Sequence, residues 1–158
     1  MLKLDKKIVL IYRNYKKLDN LSLILKLRKF SIKNGRKLYL ANNIKLAIKL
    51  GLNGVYLPSF NKDMRVNIYC FNKNFQVIGS AHNTREINIK IQQGVKEIFL
   101  SPIFKKKVSY LGIYGFLKYK INYKTKFIAL GGISSNKIKY LENINAHGFA
   151  AINYFRKK

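Results

Sequence analysis

Three observations predict a parallel α/β fold. Seven short apolar runs rich in β-branched and aromatic residues punctuate the chain, at 7–12 (KIVLIY), 37–41 (KLYLA), 54–57 (GVYL), 75–79 (FQVIG), 97–100 (EIFL), 126–130 (KFIAL) and 148–152 (GFAAI). The runs are continuous rather than alternating, which suits strands buried on both faces of a parallel sheet. Segments of helical period separate most of them, the alternation expected of repeated βαβ units. Two architectures satisfy this pattern, an open doubly wound sheet and a (β/α) barrel. A complete eight-unit barrel usually takes ~200 residues or more. Seven strands in 158 residues therefore fit a shortened barrel or an open sheet.

The helical segments follow in order. Residues 18–34 carry Leu21, Ile24, Leu25, Arg28 and Ile32 at helical spacing, with Gly35 as the C-terminal cap. A two-turn helix over 43–50 closes at Gly51, and one over 84–93 places Ile87 and Ile91 on one face before Gly94. Residues 105–123, with Gly112 and Gly115, read as a loop followed by an irregular helix, and 135–144 as a helix opened by Ser. Pro58 and Pro102 each sit just after a strand, and no linker or low-complexity stretch interrupts the chain. Residues 1–158 are read as a single domain.

Composition excludes several classes. An apolar fraction of 48% rules out a disordered acidic chain. One cysteine, Cys70, rules out a disulfide framework and a multi-cysteine zinc site; in the run Tyr69-Cys70-Phe71 it reads as an inert buried thiol. No apolar run approaches the ~20 residues that span a bilayer, and the opening run falls short of the ~7–15 residues of a signal-peptide core. A soluble, cytoplasmic protein without membrane partners is expected. The formal charge is +26, which points toward nucleic acid or toward a small polyphosphate. Only six of the 32 basic residues are Arg, and the lysines are spread along the whole chain. Phosphate-clamping nucleic-acid binders favour the Arg fork and a localised basic patch, and A/T-rich codons alone raise Lys, Asn and Ile. Nucleic acid is therefore the less favoured partner.

In parallel α/β folds function gathers in the loops that follow the strands. Here those loops hold Arg13-Asn14-Tyr15-Lys16-Lys17, Asn42-Asn43, Pro58-Ser59, Ser80-Ala81-His82-Asn83, Ser101-Pro102 with Lys105-Lys106-Lys107, Gly131-Gly132-Ile133-Ser134, and Asn153. Lys, Ser, Asn and Gly dominate and carboxylates are scarce, a vocabulary for phosphate. The most informative segment is 130–136 (LGGISSN), a strand ending in Gly-Gly that runs into a Ser-capped helix with free backbone N–H groups. His82 follows a strand and is a candidate ligand contact, whereas His147 precedes the last strand on the opposite rim and reads as structural.

With these segments in place, the chain resembles the thiamine-phosphate synthase/thiazole tautomerase family, over residues 10–155. Residues 38–57 (LYLANNIKLAIKLGLNGVYL), Ser80-Ala81-His82-Asn83 with Glu86 and Gly94, residues 99–104 (FLSPIF), and residues 129–133 (ALGGI) with Asn136, Gly148 and Ala150 carry the likeness by their order and spacing. The resemblance implies a TIM-type (β/α) barrel of about seven parallel strands, lacking the family's first βα unit and last helix. It also implies that the chain binds a thiazole phosphate and a pyrimidine diphosphate and condenses them to thiamine phosphate. Pro102 stands where the tautomerase branch has His, so the chain sides with the synthase branch.

On this likeness Arg13, Lys16, Ser80 and Lys106 are the candidate catalytic residues, with Arg13, Lys16 and Lys106 or Lys107 holding the diphosphate. Gly131, Gly132 and Asn153 would hold the monophosphate, and Asn42, Ser59 and His82 complete the binding set. Family synthases hold Mg²⁺ with two Asp residues, and here Asn43 and Asn61 occupy those positions, poor ligands for a hard cation. No metal ligand is assigned and Mg²⁺ stays open as a cofactor; without it, lysines would have to stabilise the leaving diphosphate. The alternative is a non-catalytic family remnant that binds a phosphate ligand or RNA. An exposed edge at 8–12, together with apolar Phe149, Ile152, Tyr154 and Phe155, predicts a homodimer that buries this seam.

Overall fold

The computed structural model describes residues 8–15, 20–105 and 110–156. Its sheet runs in strict chain order: β1 (Leu10–Tyr12), β2 (Leu38–Ala41), β3 (Gly54–Leu57), β4 (Gln76–Ala81), β5 (Glu97–Leu100), β6 (Lys126–Leu130) and β7 (Gly148–Ala150). Every neighbouring pair is parallel. Among the described residues no ladder joins β7 to β1, so the sheet is a curled, open form of a TIM-type barrel. Around it lie α1 (Leu21–Lys33), α2 (Ile44–Lys49), α3 (Thr84–Gln92), α4 (Gly112–Asn122), α5 (Ile138–Asn143) and a closing turn α6 (Asn153–Arg156).

Asparagine starts three of these helices. The Oδ1 atoms of Asn20, Asn43 and Asn83 accept from the backbone N–H of Leu23 (3.0 Å), Leu46 (3.1 Å) and Glu86 (3.0 Å). Each such cap contributes about 1 kcal/mol. Part of the asparagine richness thus serves the backbone.

Alternate residues of the strands go to opposite faces. The convex face packs Val55, Leu57, Val77, Ile98, Leu100, Phe127 and Ala129 against Ile87 of α3, Phe116 of α4 and Leu141 of α5. Ile24 of α1 and Ala47 of α2 cover Leu38 and Leu40. Tyr39, Ala41, Tyr56, Ile78, Phe99 and Ile128 fill the concave face, with Tyr56 edge-on to Phe99 at 5.6 Å. At the strand-start rim the Tyr39 hydroxyl bonds Gln76 Oε1. Its ring lies so close to Gly54 that a Cβ there would sit 2.6 Å from it and 2.0 Å from the Gln76 carbonyl oxygen. His147 on the same rim lies 3.7 Å from Glu97, in keeping with a structural role.

Four expectations need correction. β4 continues to Ala81, because Ser80 and Ala81 pair with Phe99 and Leu100, so Ser80 stands in the strand and not in the loop. On α3 the buried residues are Ile87 and Lys90, while Ile91 is 43% exposed. Cys70 is exposed, since its segment follows a 3-10 turn (Met64–Ile68) instead of a core strand. The helix expected from 135 begins as a 3-10 turn (Ser135–Lys137) before α5.

The crowding at Gly54 gives a direct test of this packing. Gly54→Ala should destabilise the fold by about 3 kcal/mol, since the new methyl overpacks backbone and ring together. Urea or thermal denaturation followed by circular dichroism reads this.

Candidate functional site

The concave face opens at the strand ends, where two clusters of loop residues form. The first joins the loops after β5 and β6. Ile103 N–H donates to the Leu130 carbonyl and Phe104 N–H to the Gly131 carbonyl, both at 2.9 Å. Gly131 (φ 98°) and Gly132 (φ 74°) occupy backbone conformations that side chains disfavour. A Cβ on Gly132 would lie 2.7 Å from Lys105 N, and one on Gly131 would lie 3.0 Å from Pro102. The Gly-Gly pair is thus what lets residues 102–105 clasp the end of β6. Lys105 is exposed beside this clasp, and Lys137 Nζ lies 5.0 Å over the Phe104 ring. Ser134 stands at the helix start, but its hydroxyl donates to Asn136 Oδ1 (2.6 Å) and caps no N–H group.

The second cluster joins the loops after β1, β2 and β3. Asn61 Nδ2 donates to Asn42 Oδ1 at 2.7 Å, and the Tyr15 ring meets Phe60 edge-on at 5.2 Å. The Arg13 guanidinium lies 5.9 Å from the Tyr15 ring centroid. Partial burial pushes the Tyr15 phenol up to about 12, with Tyr56 adding to the rise and Arg13 opposing it. Tyr15 is therefore a neutral donor at the mouth. Ser80, buried on β4, and half-buried Ser59 complete this end of the curl.

Beneath the second cluster lies a buried polar anchor that the sequence did not reveal. Lys90 Nζ donates to the Asn61 carbonyl (2.6 Å) and to Gln93 Oε1 (2.9 Å). Gln93 Nε2 in turn donates to Asn61 Oδ1 and to the Asp63 carbonyl, both at 3.0 Å. The loop after β3 is thereby tied to α3. Lys90 is fully buried, and desolvation lowers its pKa to about 8, with Glu86 partly opposing that shift. A neutral amine keeps two N–H donors, enough for both acceptors. The one sequence hint was that residue 90 stands one turn beyond Ile87 on the buried side of α3.

His82 turns back on its own helix. Its backbone N–H and its Nδ1 both meet Glu86 Oε2, at 2.7 and 2.9 Å. Asn153 contributes backbone at the start of α6, and Lys16, Lys106 and Lys107 lie outside the described residues.

The donor set does not fit a divalent cation. Asn43 points into the cap of α2, and Asn61 Oδ1 already accepts from Gln93 and from the Asp63 N–H (3.0 Å). Asp63 is held by Arg65 at 2.7 Å, and that contact keeps its carboxyl below the usual range. Among the described residues no three His, Cys, Asp or Glu side chains converge. No helix among them is long and apolar enough to cross a membrane.

An open (β/α) curl whose polar loops meet at the strand ends belongs to the class of TIM-type barrel proteins. More narrowly, the thiamine monophosphate synthase family model matches residues 4–155, and the chain belongs to that family. Among solved structures it is similar to the thiamine phosphate pyrophosphorylase from Pyrococcus furiosus, at 17% identity and a TM-score of 0.74, over 93% of this chain and 72% of that one. The corresponding enzyme from Bacteroides thetaiotaomicron matches at 18% identity and TM-score 0.63, over 95% and 72%. The citrate synthase SbnG shares the fold at 10% identity and TM-score 0.67, over 90% and 76%. No curated protein matches the chain.

The depressed Lys90 value predicts an alkaline gain in stability. Between about pH 8 and the ordinary lysine value of 10.5, the unfolded chain holds a proton that the folded chain has released. Stability should therefore rise with pH through this window. Above pH 10 the buried Tyr39, pushed up to about 12 by burial and by Glu97, opposes the rise. Lys90→Met should abolish the gain from pH 8 to 10 and cost about 1–3 kcal/mol at pH 7, because the Asn61 and Gln93 acceptors lose their donor. Urea melts across that pH range provide the measurement.

Proposed function

We propose that this chain binds phosphorylated thiazole and pyrimidine intermediates of thiamine biosynthesis at the strand-end loops, and that it joins them as its family does. The observation that carries this reading is the clasp of residues 102–105 over Gly131 and Gly132, at the end of the curl where such barrels hold phosphate. Arg13 and Lys105, with Lys16, Lys106 and Lys107, supply the positive charge that a leaving diphosphate requires. Tyr15 and Phe60, both exposed at the mouth, offer apolar ring surface for a heteroaromatic ring.

One observation favours a second reading, binding without turnover. The asparagines that replace the family's metal carboxylates are engaged in backbone and side-chain bonds. A binding protein would keep the phosphate loops and lose the condensation.

Thermal shift with thiamine phosphate tests the ligand. A hundredfold excess over Kd stabilises by about 2.7 kcal/mol, roughly 5–10 °C for a chain of this size. The rise should be equal with and without Mg²⁺ and smaller in Arg13→Gln. Absence of any rise counts against both readings. Formation of thiamine phosphate from the two substrates separates turnover from binding.

We also infer a homodimer across the open seam, small-ligand loops left free. Val9 is 42% and Ile152 57% exposed there, although Phe149 is partly covered by Phe155, stacked on it, and by Tyr154, edge-on. Light scattering at micromolar concentration should give twice the 18.4 kDa chain mass, and Ile152→Lys should return it to monomer.

A further inference from the structure

A cavity of about 280 Å³ lies at the rim opposite the strand-end loops, between the C-terminal ends of α1 and α2. Arg28, Ser31, Arg36 and Lys37 line it, together with Gly51 and Asn53. The chain has only six arginines against 26 lysines, and two of the six meet here. Among the described residues none of those lining it is acidic. Ser31 is 2% exposed, and its Oγ has no hydrogen-bond partner; the buried Arg28 Nε has none either. Burying such groups unsatisfied is costly, so a partner from outside the chain is the economical account of both.

Helix ends attract arginine for another reason, since their last carbonyls lack partners. That account does not serve here. In α1 the carbonyls of Phe30, Ser31 and Ile32 accept from the N–H groups of Asn34, Arg36 and Gly35. In α2 those of Leu46, Ala47 and Ile48 accept from Leu50, Leu52 and Gly51. These six carbonyls are already met by backbone N–H groups. Arg28 reaches across to α2, its Nη2 at ordinary contact distance, 3.6 Å, from where a Gly51 Cβ would stand; the glycine itself is called for by its φ of 57°.

We propose that this cavity is a second anion site, which takes the phosphate group of a small phosphorylated molecule independently of the strand-end loops. The planar Arg28 guanidinium and the Ser31 hydroxyl match the tetrahedral oxygens of phosphate, with Arg36 and Lys37 adding positive charge beside them. The cavity exceeds the room that one phosphate needs, which leaves space for the organic part of an ester.

The test is an amide NMR titration of the intact protein with inorganic phosphate and then with glucose 6-phosphate. Saturable shifts are expected at Gly35, Gly51 and Asn53. Arg28→Gln should weaken them at least tenfold and Ser31→Ala at least threefold, with the responses of Gly131 and Gly132 unchanged. Ser31→Ala should melt no lower than the parent without ligand, whereas a structural hydroxyl would cost stability. If Arg28→Gln does not fold, Arg28→Lys keeps the charge, loses the fork and should still weaken binding severalfold. Three results would overturn the proposal: no saturable shift at this rim, equal affinity in the Ser31 and Arg28 variants, or a lower melting point for Ser31→Ala. A single-stranded oligonucleotide that shifts the same amides more tightly than glucose 6-phosphate would overturn it in favour of nucleic acid. Failure at Gly131 and Gly132 alone bears only on the strand-end reading.

Discussion

A parallel sheet covered on both faces leaves its strands no solvent side, and the seven strands here meet that constraint with two sets of alternate residues. The convex set takes small and branched side chains, such as Val55, Val77, Ile98 and Ala129, which fit under helices. The concave set takes Tyr39, Tyr56, Ile78, Phe99 and Ile128, which fill the inside of the curl. The polar atoms that come with the tyrosines are placed at the rims, as where Tyr39 meets Gln76. Because the interior is packed up to this level, chemistry is left to the strand ends above it.

The elements were legible because each depends on local chemistry. Continuous apolar runs marked all seven strands, and Gly35, Gly51 and Gly94 marked helix ends correctly. The exceptions have tertiary causes. Lys90 would be placed outside by its charge, but the loop after β3 supplies the Asn61 carbonyl as an acceptor 2.6 Å away, and Ile91 is displaced to the surface as a result. Cys70 sits among aromatic residues that stack on each other along their own segment, Phe71 on Phe75 at 4.8 Å, and its thiol faces out.

The site was half legible for a similar reason. Gly131 and Gly132 were visible as a phosphate-type turn, yet their tight fit under residues 102–105 depends on a loop thirty residues away. Asn43 and Asn61 looked equivalent by position. In the fold one caps a helix, and the other is fixed by Gln93 and Lys90, with Asn42 as its neighbour at the mouth. Sequence shows which side chains are present in a loop, whereas the hydrogen bonds decide which of them remain free for a ligand.

The strand order has a kinetic consequence. Each strand of the ladder pairs only with its neighbours in the chain, and the described residues contain no ladder between the last strand and the first. The loops closed by each new pairing are therefore short in sequence, and search time grows with the sequence separation of contacts. A chain of this kind can acquire its sheet one βα step at a time as it leaves the ribosome, N-terminal pairs first. A closed barrel must instead wait for its two ends to meet.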